Sequence, residues 1–258
     1  MLRGIYTVGM GLQVQEKKMD TISNNLANLN TNGYKKDSAV FNSFNSILVN
    51  RINDYYVPSN PSGEVGSMEL STDIGQIHTD YSQGNLINTG NSTDVALSAS
   101  DNSFFTVEVP EDSEKTEKYT RDGAFSLDST GQLITREGYT VLGEDGPIIL
   151  QSQDFKITDK GEVLENSEMI GKLKIKTFKD TNLLRKAGSN LVTVEGEAEE
   201  KPFEGKVVQG SVEGSNVNSI KEMIDMITVV RAYEANQKML KVHDDTLGRA
   251  VNDIASLR

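Results

Sequence analysis

The sequence predicts an α+β fold, with long N- and C-terminal helices packed as a coiled coil and a mostly antiparallel β middle domain. Three observations carry that expectation. Apolar residues recur at alternating steps of three and four at both ends of the chain, the spacing of one stripe on a helix. All five prolines fall between residues 58 and 202, so neither end holds the residue that most strongly breaks a helix. From about 93 to 213, short apolar or β-branched runs alternate with glycine turns and no long helical pattern interrupts them.

The N-terminal arm, residues 1–44, carries its stripe on Ile5, Val8, Leu12, Gln15, Met19, Ile22, Leu26 and Leu29. Gly4, Gly9 and Gly11 each weaken this helix by about 1 kcal/mol relative to alanine. The arm therefore needs a partner helix, and further copies, to hold its shape. Residues 45–90 read as an extended linker or loop region. Within it NDYYVPSNPSGEVGS (53–67) is turn-rich, and Tyr55 and Tyr56 leave it open between an ordered interaction loop and a plain surface loop.

The β-rich domain spans 91–205. DVALSAS, SFFTVEV, GYTVLG, KLKIKTF and NLVTV are its strand candidates, and DSTGQ, EDGP and DKGE supply glycines where turns require positive φ. An antiparallel sandwich or barrel-like domain follows, with the acidic EGEAEEKP (195–202) as a looser connection. Residues 206–258 give a last strand and the second helical arm, whose stripe is Met223, Met226, Val230, Tyr233, Gln237, Leu240, Asp244, Leu247, Val251 and Ile254.

Composition narrows the function. There is no cysteine, which excludes disulfides and thiolate metal sites. His78 and His243 lack metal-ligand spacing and read as solvated surface side chains. No cofactor is expected. No window approaches the roughly 20 apolar residues of a membrane span, and the N-terminal segment lacks a signal-cleavage pattern, so no cleaved signal peptide is expected. The net charge of −12 sits in the middle of the chain: residues 45–213 hold 15 basic against 29 acidic side chains. Nucleic acid is thereby excluded as a partner. The near-neutral arms are left to pack against something.

Catalytic constellations are missing. There is no G-x-S-x-G elbow, no phosphate-binding glycine loop and no H-E-x-x-H. YTRDGAF (119–125) reads as a β-turn in which Arg121 and Asp122 form a local ion pair. The chain is not expected to be an enzyme.

Four stretches in order are familiar. ANLNTNGYK (27–35), SQGNLINTGNSTDVAL (82–97), YTRDGAF (119–125) and EGSNVNSIKEMIDMITVVRAYEANQKML (213–240) together resemble the bacterial flagellar rod and hook family, and within it the basal-body rod proteins of the FlgG/FlgF type. One departure is ALSASDNSFF (96–105), where the family usually shows a glycine-rich G-x-G-F-F. The resemblance implies a structural subunit exported by the flagellar type III apparatus without a cleaved signal. It would polymerise with itself into the helical drive shaft of the basal body, outside the cytoplasm, beside other rod subunits and the hook protein. A distal-rod position is favoured over a proximal one. The alternative is an extracellular β-domain adhesin on a helical stalk, and a hydrolase using scattered carboxylates is a third possibility.

The expected assembly interface follows from that resemblance together with the stripes. It comprises Ile5, Val8, Leu12, Met19, Ile22, Leu26 and Leu29 of the first arm and Asn25, Asn28, Thr31, Gly33 and Tyr34 of its motif. From the second arm come Met223, Met226, Val230, Tyr233, Leu240, Leu247, Val251 and Ile254, with Asn216, Asn218, Arg231 and Asn236. Asn30 and Asn32 suit a helix C-terminus before Gly33. Asn24, Asn25 and Asn28 lie within the predicted helix, where uncharged amides could fix register against neighbouring copies as a polar coiled-coil position does. Lys35 and Lys36 would meet acidic partners.

Overall fold

The structure, a computed structural model, describes residues 2–43, 46–50, 64–69, 72–111, 114–152, 155–166, 168–196 and 198–255. They belong to two compact units. One comprises residues 1–26, 37–78 and 219–258, the other residues 27–36 and 79–218. Tyr55 and Tyr56 lie outside the described residues.

The first unit contains both arm helices, α1 (Leu2–Ala27) and α2 (Ser219–Ala255). They run antiparallel in one constant register. The His243 imidazole lies against Gly4, 2.9 Å from where a Cβ on that glycine would sit, and the Asn236 amide lies 3.2 Å from the corresponding point on Gly11. The Asn25 amide donates to the Glu222 carboxylate at 3.2 Å. Each of these pairs of numbers adds to 247. His243, read from sequence as solvated, is thus half-buried against the other helix. Four strands complete the unit: β1 (Lys36–Ser43) pairs with β4 (Thr72–Asp80), and β2 (Ile47–Asn50) pairs antiparallel with β3 (Glu64–Met68). The Lys18 ammonium covers the Phe41 ring from 4.8 Å.

Helix α1 stops at Ala27, two residues before the predicted stripe ends. Asn28 instead accepts the Thr31 hydroxyl on its side chain and the Thr31 N–H on its carbonyl. That local bonding is the competition that makes asparagine a poor interior helix residue. Gly33 then takes φ +68°.

The second unit is an antiparallel β domain. Its large sheet runs Leu184–Gly188, Leu191–Val194, Glu114–Thr120, Ser103–Glu111, Thr140–Gly143, Leu133–Ile134 and Ser126–Leu127. The strand Ser103–Glu111 is central: it pairs along one edge with Glu114–Thr120 and along the other with both Thr140–Gly143 and Ile175–Phe178. Successive side chains of a strand point to opposite faces, and here both faces are covered. Phe105 enters a core with Val95, Leu97, Phe125, Val141 and Leu173. Phe104 enters a second cluster with Tyr81, Phe178, Leu184 and Val192. The three expected turn glycines, Gly131, Gly146 and Gly161, all have positive φ.

Candidate functional site

Four of the singled-out stretches meet inside the second unit at one buried carboxylate, that of Glu213. The side chain is 1% exposed, at the end of the strand Ser211–Glu213, which pairs with Leu86–Asn88. Its Oε1 accepts from the Lys35 ammonium at 2.7 Å and from the Gly84 N–H at 2.8 Å. Its Oε2 accepts from the Arg121 Nε at 2.5 Å. The Arg121 fork also donates to the carbonyls of Ser103 and Ser100, and Lys35 also donates to the Ser82 carbonyl at 2.7 Å. One buried anion thus faces two cations that are 4% and 3% exposed.

The backbone around this cluster leaves no room for side chains at two glycines. The Gly33 N–H donates to the Glu213 carbonyl at 2.7 Å. A Cβ on Gly33 would lie 2.5 Å from the Arg121 and Asp122 backbone, and one on Gly84 would lie 2.0 Å from the Gly214 carbonyl oxygen. Tyr34 is buried beneath Lys186, whose Nζ is 4.2 Å from the ring centroid and donates to the Lys35 carbonyl at 2.6 Å. Asn190 donates to the Asn32 carbonyl. Asn216 accepts the Lys36 N–H and donates to the Asp80 carbonyl. Residues 27–36 and 211–217 are thereby stitched to one another and to the β domain.

The departure at residues 96–105 joins the same cluster. Ala99 holds the left-handed conformation, φ +61°, and the Gln83 side chain brackets it, accepting the Ala99 N–H and donating to the Leu97 carbonyl. The turn that glycine would favour is kept here by hydrogen bonds.

Electrostatics set the character of the site. Burial pushes the Lys35 ammonium below the usual lysine range; the pull of Glu213 opposes this, and the nearby Arg121 charge adds to it. Asp122 is pushed up to about 6, chiefly by burial, against the hydrogen bond it accepts from the Ala124 N–H. The local Arg121–Asp122 ion pair expected from sequence is replaced by Arg121–Glu213, because the guanidinium turns into the domain where the carboxylate is desolvated.

The first unit has a smaller polar cluster. Asn25, 1% exposed, donates to the Asp37 carbonyl at 2.8 Å and accepts the Asp37 N–H at 3.0 Å, besides donating to Glu222. Its amide is engaged within the chain.

The expected interface residues divide as follows. In the first unit Ile5, Val8, Leu12, Met19, Ile22, Leu26, Met226, Val230, Tyr233, Asn236, Leu240 and Leu247 are half-buried, and Asn25 is buried. Asn28, Leu29 and Thr31 sit half-buried in the turn after α1, while Gly33 and Tyr34 are buried in the β domain together with half-buried Asn216. Asn218, Met223, Arg231 and Val251 are exposed, and the Ile254 side chain lies outside the described residues. Sequence reading missed Glu213, Arg121 and Gly84 as members of one cluster, and Glu222 as the partner of Asn25. It also missed Val14 and Val229, both buried. The signal for Glu213 was the lone charge in the stretch SVEGSNV, 211–217.

Helix α2 has a second apolar face. Ile220, Ile224, Ile227, Met239 and Val242 are 53–68% exposed. At 100° per residue Ile220, Ile224, Ile227 and Val242 lie on the side away from Glu222, Val229, Asn236 and His243, and Met239 lies between the two sides.

A groove of about 750 Å³ in the β domain is lined by Lys160, Lys172, Lys174, Lys176, Lys201 and four glutamates. Two of those glutamates, Glu144 and Glu200, are already paired with lysines.

Three family models match the chain in order: "Flagella basal body rod protein" over residues 5–35, "Flagellar hook protein FlgE/F/G D1 domain" over 100–165, and "Flagellar basal body rod FlgEFG protein C-terminal" over 208–253. The chain is 34% identical to the flagellar basal-body rod protein FlgG of Buchnera aphidicola subsp. Acyrthosiphon pisum, over 96% of this chain and 98% of that protein. It is 33% identical to the FlgG of Agrobacterium fabrum, over 95% and 96% respectively. With the flagellar hook-basal body complex protein FlhO of Bacillus subtilis it shares 28% identity over the full length of both.

Proposed function

The chain belongs to the flagellar basal-body rod family, whose members are structural subunits and not enzymes, and we propose that it polymerises with copies of itself into the helical shaft of the rod. Its place is the flagellar basal body, and the adhesin reading receives no support from these relatives. The reading extends to a distal-rod position, to neighbouring rod subunits and the hook protein as partners, and to export through the flagellar type III apparatus. Among the described residues no helix is long and apolar enough to cross a membrane.

One observation carries the polymer reading: α2 is apolar on two opposite faces, and only one is covered. A helix that is apolar on two sides is a helix with more than one neighbour. In this reading α1 and α2 of each copy form a coiled-coil layer, and Ile220, Ile224, Ile227, Met239 and Val242 meet the helices of the next copy. The test is Ile224→Glu with Ile227→Glu. Both side chains are exposed, so the circular dichroism of the full chain should be unchanged. Polymer formation, followed by light scattering and electron microscopy, should be lost, and a strain carrying the variant should not swim. Normal polymers from the double variant would overturn the proposal.

A further inference from the structure

We propose that the buried Asn25–Glu222 pair is the register lock of the α1–α2 helix pair. The apolar stripes alone cannot choose a register. Apart from Gln15, Gln237 and Asp244, both are apolar and repeat every seven residues, so sliding one helix by a heptad, about 10.5 Å along the axis, again brings mostly apolar residues opposite one another. The glycine contacts are similarly forgiving. With Gly11 held fixed, the slides exchange Asn236 for Val229 or for His243, all three of which lie on the α1 side of α2.

Asn25 and Glu222 break the degeneracy. Each is 1% exposed, and they meet only in the register that adds to 247. One slide sets Asn25 against Val229 and carries Glu222 past the end of α1. The other sets Asn25 against Ser215, before the start of α2. Either way a buried amide loses its bond to the carboxylate, the kind of loss by which a single polar position specifies register in coiled coils. Glu222 suits the role because it lies in the first turn of α2, where the helix dipole favours a negative side chain. Asn25 suits it because its bonds to the Asp37 backbone in both directions hold the amide in place. A slipped pair would displace every assembly face of α2 by two helical turns relative to α1, so this pair positions the surface rather than forming it.

The chain has no cysteine, so cross-linking reads the register cleanly. Gly11→Cys is combined with Val229→Cys, Asn236→Cys or His243→Cys in the full-length chain. Mild oxidation is followed by non-reducing gels at monomer mass and mass spectrometry of the linked peptides. These pairings are compared in the wild-type background, in Glu222→Leu and in Glu222→Gln. Glu222→Leu spares the Asn25–Asp37 bonds, and Glu222→Gln keeps an acceptor for Asn25. The expected result is 11–236 linkage favoured by about tenfold or more in wild type and Glu222→Gln, falling toward parity with a slipped pairing in Glu222→Leu. An unchanged pattern in Glu222→Leu would mean that the chain connections alone set the register. Slipped linkage already present in wild type would also overturn the proposal.

Discussion

The Glu213 cluster predicts an unequal response to removing its charges one at a time. Glu213→Gln keeps the size of the side chain and leaves Lys35 and Arg121 as buried cations without a counter-charge. Removing one partner of a buried ion pair costs about 3–5 kcal/mol, and here two cations are stranded together. Lys35→Met leaves the neutral Glu213–Arg121 pair intact. It forfeits the Lys35 bonds to Glu213 and to the Ser82 carbonyl, and that carbonyl still accepts from Asn216. Its cost should be about 1–2 kcal/mol. The lowered lysine value sharpens the contrast: desolvation outweighs the attraction to Glu213, so the charge on Lys35 opposes folding on balance. Urea denaturation of the full chain at pH 7, followed by tyrosine fluorescence, separates the two variants at constant slope. A pH series adds a second reading. The folded Lys35 value lies below the unfolded 10.5, so the unfolded state holds more protons between the two. Stability from this group therefore rises as pH climbs through that window, and Lys35→Met should abolish that rise. A Glu213→Gln loss equal to or smaller than that of Lys35→Met would refute this account of the cluster.

Further outcomes follow from the same region and from α1. Asp122 has a folded value of about 6 against an ordinary 3.8, so its contribution is fully present below 3.8 and is lost as pH rises through 6. Acidifying from pH 7 to 4.5 should cancel part of the acid destabilisation from other carboxylates. Asp122→Asn should raise the stability of the second unit at pH 7 by about 1–3 kcal/mol; a destabilised Asn variant at pH 7 would contradict it. Gly33→Ala meets both a positive φ and backbone at 2.5 Å, and should cost more than about 2 kcal/mol. Gly9→Ala in α1 has nothing within 4 Å and should instead stabilise by about 0.5–1 kcal/mol; thermal melts compare the two.

The helices and the β character of the middle were legible because period is a local property: steps of three and four, or alternation between glycine turns, need only a short window. Long-range pairing is not local. The partners of Glu213 lie 92 and 178 residues away, and that of Asn25 lies 197 away. Arg121 was assigned to the nearest carboxylate in sequence, which is how exposed turns behave, whereas burial selects the partner that shares its desolvation. The outer face of α2 escaped notice because a heptad count picks one stripe, and Ile220, Ile224 and Ile227 fall on the other. The sequence reading gave residues 1–44 to one arm. The structure groups 27–36 with the β domain, since Gly33, Tyr34 and Lys35 spend their bonds there.

The asparagines of NNLANLNTNGYKKD can now be weighed against the residues that might replace them. Asn25 needs a donor and an acceptor at once, because it gives to the Asp37 carbonyl and takes from the Asp37 N–H. Aspartate there could take but not give, and would set a second buried carboxylate against Glu222, a like-charge contact. Leucine would fit the stripe better and leave both Asp37 backbone groups and one Glu222 oxygen to find other partners. Asn28 ends the helix by accepting Thr31 twice, a bond pattern alanine cannot offer. Asn32 precedes the left-handed Gly33 and lends its carbonyl to Asn190. For Asn25 and Asn28 the side-chain amide stands where a hydrocarbon would lose a hydrogen-bond partner, whereas Asn32 contributes its backbone carbonyl. The crowding of one residue type therefore reflects two separate side-chain demands for neutral hydrogen bonding, met within a single chain before any neighbour is involved.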